Sequence, residues 1–154
     1  MSYETAKIIT DEGLEGLVRY YSVYGGFVID NDDVEKHMNR VKVCVPEVMG
    51  GVFAWAYPKG QHGSISSGFK FLAPKVGDTV FVTFELGDPT KPLWDYHGWG
   101  MSQIPQPLDG PNKMGIVTPE GNLIVIDDDN GELNLHFNGP VNVRSEKEIV
   151  INAE

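Results

Sequence analysis

Alternation of apolar and polar positions predicts β-strands along most of the chain. Residues 79–86 (TVFVTFEL) place successive side chains on opposite faces, the period of two that is typical of a half-buried strand. Gly87-Asp88-Pro89 has turn chemistry, and Pro92 comes just before a second arm at Leu93-Trp94. The pattern predicts a β-hairpin whose first arm has one face in a core. The core-facing positions are predicted to be Val80, Val82, Phe84 and Leu86.

Three more strands are predicted before this hairpin. They are residues 17–29 (LVRYYSVYGGFVI), 40–46 (RVKVCVP) and 50–58 (GGVFAWAYP), and residues 59–75 read as a glycine- and serine-rich loop. Gly25-Gly26 inside the first strand is typical of a bulge or a sharp coil. Five short strands without a convincing long helix predict an all-β fold, a five-stranded barrel of the OB type. A small β-sandwich is the alternative.

The pattern changes after Gly100. Residues 101–113 contain three prolines without periodicity and predict an extended linker, and residues 114–154 form a ladder of short strands separated by turns. A ribbon of roughly forty residues is too short to enclose a core of its own. It must pack against identical copies around a threefold axis or back on the barrel, and a linker leading away from the barrel favours the copies. The predicted organisation is an N-terminal extension (1–16), an OB-fold domain (17–100), a linker (101–113) and a β-helical segment (114–154).

Composition narrows the possible partners. The chain carries 22 acidic and 12 basic residues, a formal net charge of −10, and its densest basic stretch holds only three bases. Nucleic-acid binders need a basic face, so no nucleic-acid partner is expected. Cys44 is the only cysteine, which excludes an intrachain disulfide. No signal peptide is visible and no apolar run approaches the ~20 residues of a membrane helix, so we expect synthesis in a cytoplasm and no stable membrane insertion.

A search for catalytic or metal-binding motifs gives no candidate. In the acidic stretch that starts at Asp127, Gly131 stands at position five of a calcium loop instead of six, and no glutamate stands at position twelve. The glycine-serine loop matches neither a P-loop nor a nucleophile elbow. The histidines are separated and show no ligand spacing; they are His37, His62, His97 and His136. We therefore expect no cofactor and no enzymatic activity, and a small hydrolase with an unrecognised carboxylate pair would need a deep cleft.

The aromatic residues leave one rival function open. Aromatic side chains can stack on bases or sugars, although they also serve as core and rim residues of a small barrel. A monomeric OB-fold module that binds single-stranded nucleic acid or a glycan is therefore the alternative function. The aromatics in question are Phe69, Trp55, Trp94, Tyr96 and Trp99.

The order of elements resembles the OB-fold domain of bacteriophage central spike and baseplate hub proteins, a family shared with contractile injection systems. Residues 20–48 look like its opening strand, polar connector and second strand, and AWAYP at 54–58 is similar to a third. Residues 63–100 match the family's glycine-rich loop, its VGD…GDP…P-x-W block and its closing strand. The positions that carry this barrel signature are Gly77, Asp78, Gly87, Asp88, Pro89, Pro92 and Trp94.

The resemblance implies a structural component of a phage tail baseplate, the central spike at the tail tip that helps pierce the host envelope. Residues 114–154 would begin a triple-stranded β-helix, with the TPEG stretch at 118–121 as its leading turn. The protein would be a homotrimer in the virion, assembled in the host cytoplasm and mated to a trimeric hub protein, with the GDP turn and Trp94 near that joint. The predicted threefold interface comprises Leu123, Val125, Leu133, Leu135, Phe137, Val141, Val143, Ile149 and Ile151.

Two departures from the family pattern limit what the resemblance implies. Some members carry a lysozyme domain between barrel and needle, whereas only the linker occupies that place here, so no hydrolase activity is carried over. The needle segment is short and lacks an HxH tip. Either a separate spike-tip protein caps it or the chain has been cut.

Overall fold

The computed structural model describes residues 7, 11, 18–100 and 102–152. Most of the predicted N-terminal extension (1–16) therefore lies outside the described residues. The chain divides into two compact units, Met1–Gly98 and Trp99–Glu154, and each is described by itself.

The first unit is a closed barrel of five strands in the order β1-β2-β3-β7-β6. Only β3 and β7 pair in parallel, and the other neighbours are antiparallel. The predicted all-β, five-stranded barrel is thus confirmed. Its elements are β1 (Tyr24–Asp30), β2 (Val41–Cys44), helix α1 (Pro46–Met49), β3 (Ala54–Pro58), the two-residue strands β4 (His62–Gly63) and β5 (Gly68–Phe69), β6 (Thr79–Phe84), a 3-10 turn (Glu85–Gly87) and β7 (Pro92–Tyr96).

The core of the barrel follows the alternation in the sequence. Its fully buried side chains are mostly valines, from β1, β2, β6 and the residue that follows β2, and Trp94 of β7 is the largest of them. Leu86 was predicted to join this face but is 78% exposed. The strand ends at Phe84, which pairs with Pro92, and Leu86 lies in the 3-10 turn at φ +52°. The chain has to reverse direction there, so the alternation stops two positions before the pattern suggests.

The glycine pair of β1 does not form the predicted bulge. Tyr24 to Phe27 pair with β6 without interruption, and the irregularity in the pairing with β2 lies between Val28 and Asp30. A Cβ at Gly26 would lie 2.8 Å from the Val82 side chain, whereas one at Gly25 would meet nothing within 4 Å. Gly26 therefore allows close packing inside the barrel. The strand also begins at Tyr24, later than predicted.

The pairing register assigns the loops to two ends of the barrel. The connector 31–40, the segment 59–78 and the chain beyond Tyr96 lie at one end, which we call the exit end, because β7 runs parallel to β3 and Gly77 donates its N–H to the Val28 carbonyl. The loops 45–53 and 85–91 lie at the opposite end, the far end. Tyr20 is tied to this far end, where its N–H donates to the Gly87 carbonyl.

The second unit contains a three-stranded antiparallel sheet in the order β10-β9-β8. Part of the predicted linker is folded: residues Gln106–Leu108 form a 3-10 turn, Leu108 is buried, and Lys113 already begins a strand. The predicted strands around 141–143 and 149–151 are not formed, since the described residues 137–152 contain no strand. The strands of this unit are β8 (Lys113–Val117), β9 (Leu123–Asp127) and β10 (Glu132–His136).

Candidate assembly surfaces

One face of the C-terminal sheet is entirely apolar and exposed. Residues directly opposite each other in antiparallel strands share a face. The register aligns Met114, Ile126 and Leu133 in one row. It aligns Ile116, Ile124 and Leu135 in a second row, two residues further along the strands and on the same face. These six side chains are between 38% and 66% exposed. We call them the apolar face. Contiguous exposed apolar patches of this kind mark interaction sites.

The opposite face of the same sheet is polar at its edges and covered at its centre. Val125 and Asp127 are buried there, and the 3-10 turn at Gln106–Leu108 packs against β8. Gly115 lies opposite Val125 in the register, and a Cβ on it would collide with the backbone carbonyl of Ile124. The part of this face on β8 and β9 is therefore occupied within a single chain, whereas its β10 residues are exposed.

The register divides the predicted threefold interface between the two faces. Leu133 and Leu135 belong to the apolar face, whereas Leu123 and Val125 lie on the opposite one. Val125 is only 3% exposed, so a second copy cannot bury much more of it. The sequence alone did not identify four members of the apolar face. LIVI at 123–126 has apolar side chains on both faces of the strand, and only the strand pairing shows which of them belong to the apolar face. The missed residues are Met114, Ile116, Ile124 and Ile126.

The remaining predicted interface residues lie at and beyond the end of β10. They are exposed in the single chain, from 39% for Phe137 to 91% for Ile151. Their backbone is in no strand of the described chain, so their role in a threefold contact stays a prediction. These residues are Phe137, Val141, Val143, Ile149 and Ile151.

The acidic turn after β9 is organised by its own hydrogen bonds. The Asp127 carboxylate accepts N–H groups of Asp129 and Asn130 and lies 3.4 Å from Lys113 Nζ. Burial acts to raise the pKa of Asp127, but the bonds from Asn130 and the charge of Lys113 outweigh it and lower the pKa. No group of three or more His, Cys, Asp or Glu side chains within the described residues is placed to hold a metal ion.

The glycines of the barrel signature serve turn geometry. Gly77 and Gly87 have φ of +92° and +73°, in the left-handed region that favours glycine. A Cβ at Gly87 would also lie 3.0 Å from the Tyr20 nitrogen, so both the backbone conformation and the close contact require glycine at this position. Each turn has a neighbouring aspartate whose carboxylate accepts local N–H groups, Asp78 from Lys75 and Asp88 from Thr90.

The Asp88 turn is held by a second bond. The Thr90 hydroxyl donates to Asp88 at 2.7 Å, and this bond lowers the pKa of Asp88. Pro92 and Trp94 are buried, and the Trp94 indole N–H donates to the Asn39 carbonyl at 3.1 Å. The Trp94 side chain fills the barrel, so it offers no contact surface itself, and its position near a joint with a partner stays a prediction. Pro89 lies between Asp88 and Thr90 in the far-end turn.

The connector places two cations against the aromatic residues of β3, although Tyr57 remains 37% exposed. The Arg40 guanidinium lies 5.1 Å from the Trp55 ring centroid and 5.7 Å from that of Tyr57. Lys36 approaches the Tyr57 hydroxyl at 3.3 Å. A base or sugar that stacked on Trp55 or Tyr57 would have to displace these cations. Three other aromatics of the stacking hypothesis are exposed: Phe69, Tyr96 and Trp99.

No helix in the described part of the chain is long and apolar enough to cross a membrane.

Comparisons with known proteins agree with this architecture. No curated protein matches the chain. A family model described as the Type VI secretion system/phage-baseplate injector OB domain matches residues 24–99, which span all five barrel strands. The barrel domain, residues 24–99, is thus an injector OB domain of the Type VI secretion system and phage-baseplate kind.

Proposed function

We propose that the protein is a structural component of a phage tail baseplate, the central spike at the tail tip that helps pierce the host envelope. An injector OB domain supports the baseplate role. The observation that carries the proposal further is the apolar face, because a sheet with six exposed apolar side chains needs a partner. Identical copies of the chain would supply that partner without a second kind of protein, and we propose three of them because the resemblance to triple-stranded spikes implies a threefold axis.

The energetic argument for a trimer rests on burial and on backbone pairing. Each apolar side chain of this size contributes about 1.5–3 kcal/mol when it is fully buried. Residues 137–152 have exposed backbone and alternating apolar side chains, such as Val141 and Val143, and strands from neighbouring chains would satisfy both. Such a trimer would unfold only with dissociation, which suits a part that is loaded in compression.

The same proposal assigns the partners. The far end of the barrel carries the Gly87-Asp88 turn and faces away from the point where the chain leaves, so we assign the trimeric hub protein to that end. A separate tip protein would cap the C-terminal segment. Assembly would take place in the host cytoplasm and the final location would be the virion tail. Neither nucleic acid nor stable membrane insertion has a part in this mechanism.

Absolute mass by light scattering tests the trimer. The full chain is expected at three times the monomer mass of 17.0 kDa, and a version that ends at Gly110 is expected as a monomer. A full chain that stays monomeric at high concentration would contradict the spike proposal. The OB binding module would then become the better hypothesis, and titration with single-stranded oligonucleotides and oligosaccharides would follow.

Point variants locate the contact within the sheet. Ile124→Glu and Leu135→Glu place charges at paired positions of the apolar face, and we expect both to give monomers. Asn134→Glu is the matched control, because Asn134 is exposed on the opposite face of the same strand. A control variant that dissociates as readily as Leu135→Glu would place the contact elsewhere.

A further inference from the structure

Asn138 fastens the chain after β10 to the turn between β8 and β9. Its backbone N–H donates to the Asn122 side-chain oxygen at 2.9 Å, and its side-chain amide donates to the Glu120 carbonyl at 2.5 Å. Within the described part of the chain, the residues beyond Asn138 make only a local bond, from the Lys147 N–H to the Ser145 hydroxyl. Asn138 is therefore the last point at which hydrogen bonds tie the C-terminal segment to the sheet.

Asn138 is also followed by glycine, as is Asn130, and these are the two Asn-Gly pairs of the chain. Asparagine is thermolabile, and a following glycine has no Cβ to hinder attack by its backbone nitrogen. That nitrogen bonds to the side-chain carbonyl carbon, the bond to the side-chain nitrogen breaks, and the glycine N–H proton leaves with that nitrogen as ammonia. Water then opens the resulting succinimide ring at either carbonyl, which gives aspartate or isoaspartate. The reaction needs no enzyme and no cofactor.

The surroundings of Asn138 and Gly139 permit this reaction. Asn138 is exposed, a Cβ at Gly139 would meet nothing within 4 Å, and the Gly139 N–H donates to no described residue. The backbone is held on one side only, because β10 ends at His136 and the described residues after it form no strand. Local opening costs least where few contacts hold the chain. The Asn138 backbone can therefore rotate into the geometry that the attack requires.

The fold holds the other pair, Asn130-Gly131, more firmly. Strands β9 and β10 enclose it, with Asp127 paired to Glu132 across the turn. The Asp127 carboxylate accepts the backbone N–H of Asn130 at 3.3 Å and its side-chain amide at 3.1 Å. Attack also requires negative charge to develop on the glycine nitrogen, which the neighbouring aspartates oppose. No Asp or Glu lies between Glu132 and Glu146, so this repulsion is absent from the sequence around Asn138.

We infer that Asn138-Gly139 is a site of spontaneous deamidation, and that the reaction releases residues 139–152 from the sheet. The Asn138 amide donates to the Glu120 carbonyl, whereas a carboxylate at this position has no proton to donate. Two acceptors would then face each other at hydrogen-bond distance, and isoaspartate would in addition lengthen the backbone by one methylene group. The inference concerns the single chain and does not rest on the proposed trimer, although strands of neighbouring copies paired with residues 139–152 would slow the reaction.

Peptide mass spectrometry tests the site in the full-length chain. Cleavage after glutamate separates the two pairs into residues 121–132 and 133–146. In warm, mildly alkaline buffer, we expect the second peptide to gain about one mass unit several-fold faster than the first, with isoaspartate among the products. Gly139→Ala should slow this gain several-fold, because its methyl group hinders the attack but meets nothing in the fold. Equal rates at the two pairs would overturn the inference.

Two further conditions separate the site from assembly and from local sequence. Ile124→Glu is expected to be a monomer, so conversion in this variant but not in the parent chain would support the site and show that assembly covers it. No conversion in either protein would overturn the site, while light scattering judges the trimer independently. In urea the difference between the two pairs should shrink, because only the aspartates then slow the reaction at Asn130. An unchanged difference would overturn the part assigned to the fold.

The release of the C-terminal segment is tested with Asn138→Asp, which imitates one product. Trypsin should cut this variant after Arg144 several-fold faster than the parent chain, because proteases cleave exposed and loosely held segments. Asn134→Asp is the matched control, since it adds the same charge to β10 and leaves the bonds of Asn138 in place. Cleavage of Asn138→Asp no faster than that of the control would overturn the release.

Discussion

The Asp33 carboxylate and the Arg40 guanidinium form a buried ion pair, with 2.6 Å between Oδ1 and Nη2. The second oxygen of Asp33 accepts the backbone N–H groups of Met38 and Arg40. The Arg40 guanidinium also lies over the Trp55 ring. One carboxylate therefore closes the connector into a loop and fixes an arginine on the barrel wall, which makes this pair the anchor of the exit end.

This pair predicts an acid-sensitive barrel. The side-chain bonds from Arg40 outweigh burial and hold the pKa of Asp33 well below its usual range. A carboxyl with a depressed folded-state pKa stabilises the fold above its unfolded pKa of about 3.9, and that stability is lost as the pH falls further. For the version ending at Gly110, we expect the urea concentration at the unfolding midpoint to decrease as the pH is lowered below about 4. The Asp33→Asn variant should unfold at a lower urea concentration at pH 7 and show a smaller decrease on acidification. An unchanged pH profile in the variant would show that other carboxylates dominate.

The two glycines of β1 predict opposite responses to the same substitution. Gly26→Ala places a methyl 2.8 Å from the Val82 side chain and 3.3 Å from the Cys44 carbonyl, so we expect a loss of about 1–3 kcal/mol in unfolding free energy. Gly25→Ala has open space and should be close to neutral. Chemical denaturation followed by circular dichroism measures both, and equal losses would contradict a packing role for Gly26.

Trp94 links the barrel core to the connector. Trp94→Phe removes the indole donor and leaves the buried Asn39 carbonyl without its hydrogen bond, which costs about 1–3 kcal/mol. Asn39 itself has φ +59°, a conformation that asparagine tolerates better than most residues. Denaturation midpoints by near-ultraviolet circular dichroism test this. A variant as stable as the parent would mean that the carbonyl is satisfied in another way.

Gly115 tests whether the C-terminal sheet is required for assembly. Gly115→Ala drives a methyl into the Ile124 carbonyl and the Val125 backbone, so we expect β8 and β9 to separate and the trimer to dissociate. Gly139→Ala, which meets nothing within 4 Å, is the control. Light scattering on both variants gives the answer, and a trimeric Gly115→Ala protein would show that assembly does not depend on this sheet.

Local patterns in the sequence predicted the barrel strands but not what the glycines and the tryptophan do. Alternation identified Val80, Val82 and Phe84 as core residues, because a side-chain period of two is a property of the strand itself. The same alternation wrongly included Leu86, since nothing local marks where pairing with β7 ends. The resemblance to spike proteins placed Trp94 near a joint, and the local sequence does not show that it is buried, because an aromatic residue after a turn suits a core and a surface equally well.

The sequence by itself determined the strand-rich fold, the five-stranded barrel and the change in residue pattern after Gly100. Strand periodicity and turn residues are local signals that extend over only a few positions. Only the tertiary structure decided which face of LIVI at 123–126 is exposed, that Asp33 pairs with Arg40, and that Gly26 meets Val82. These relationships depend on strand register and on how the connector folds back on itself. A shift of one residue in a strand would turn its side chains to the opposite face.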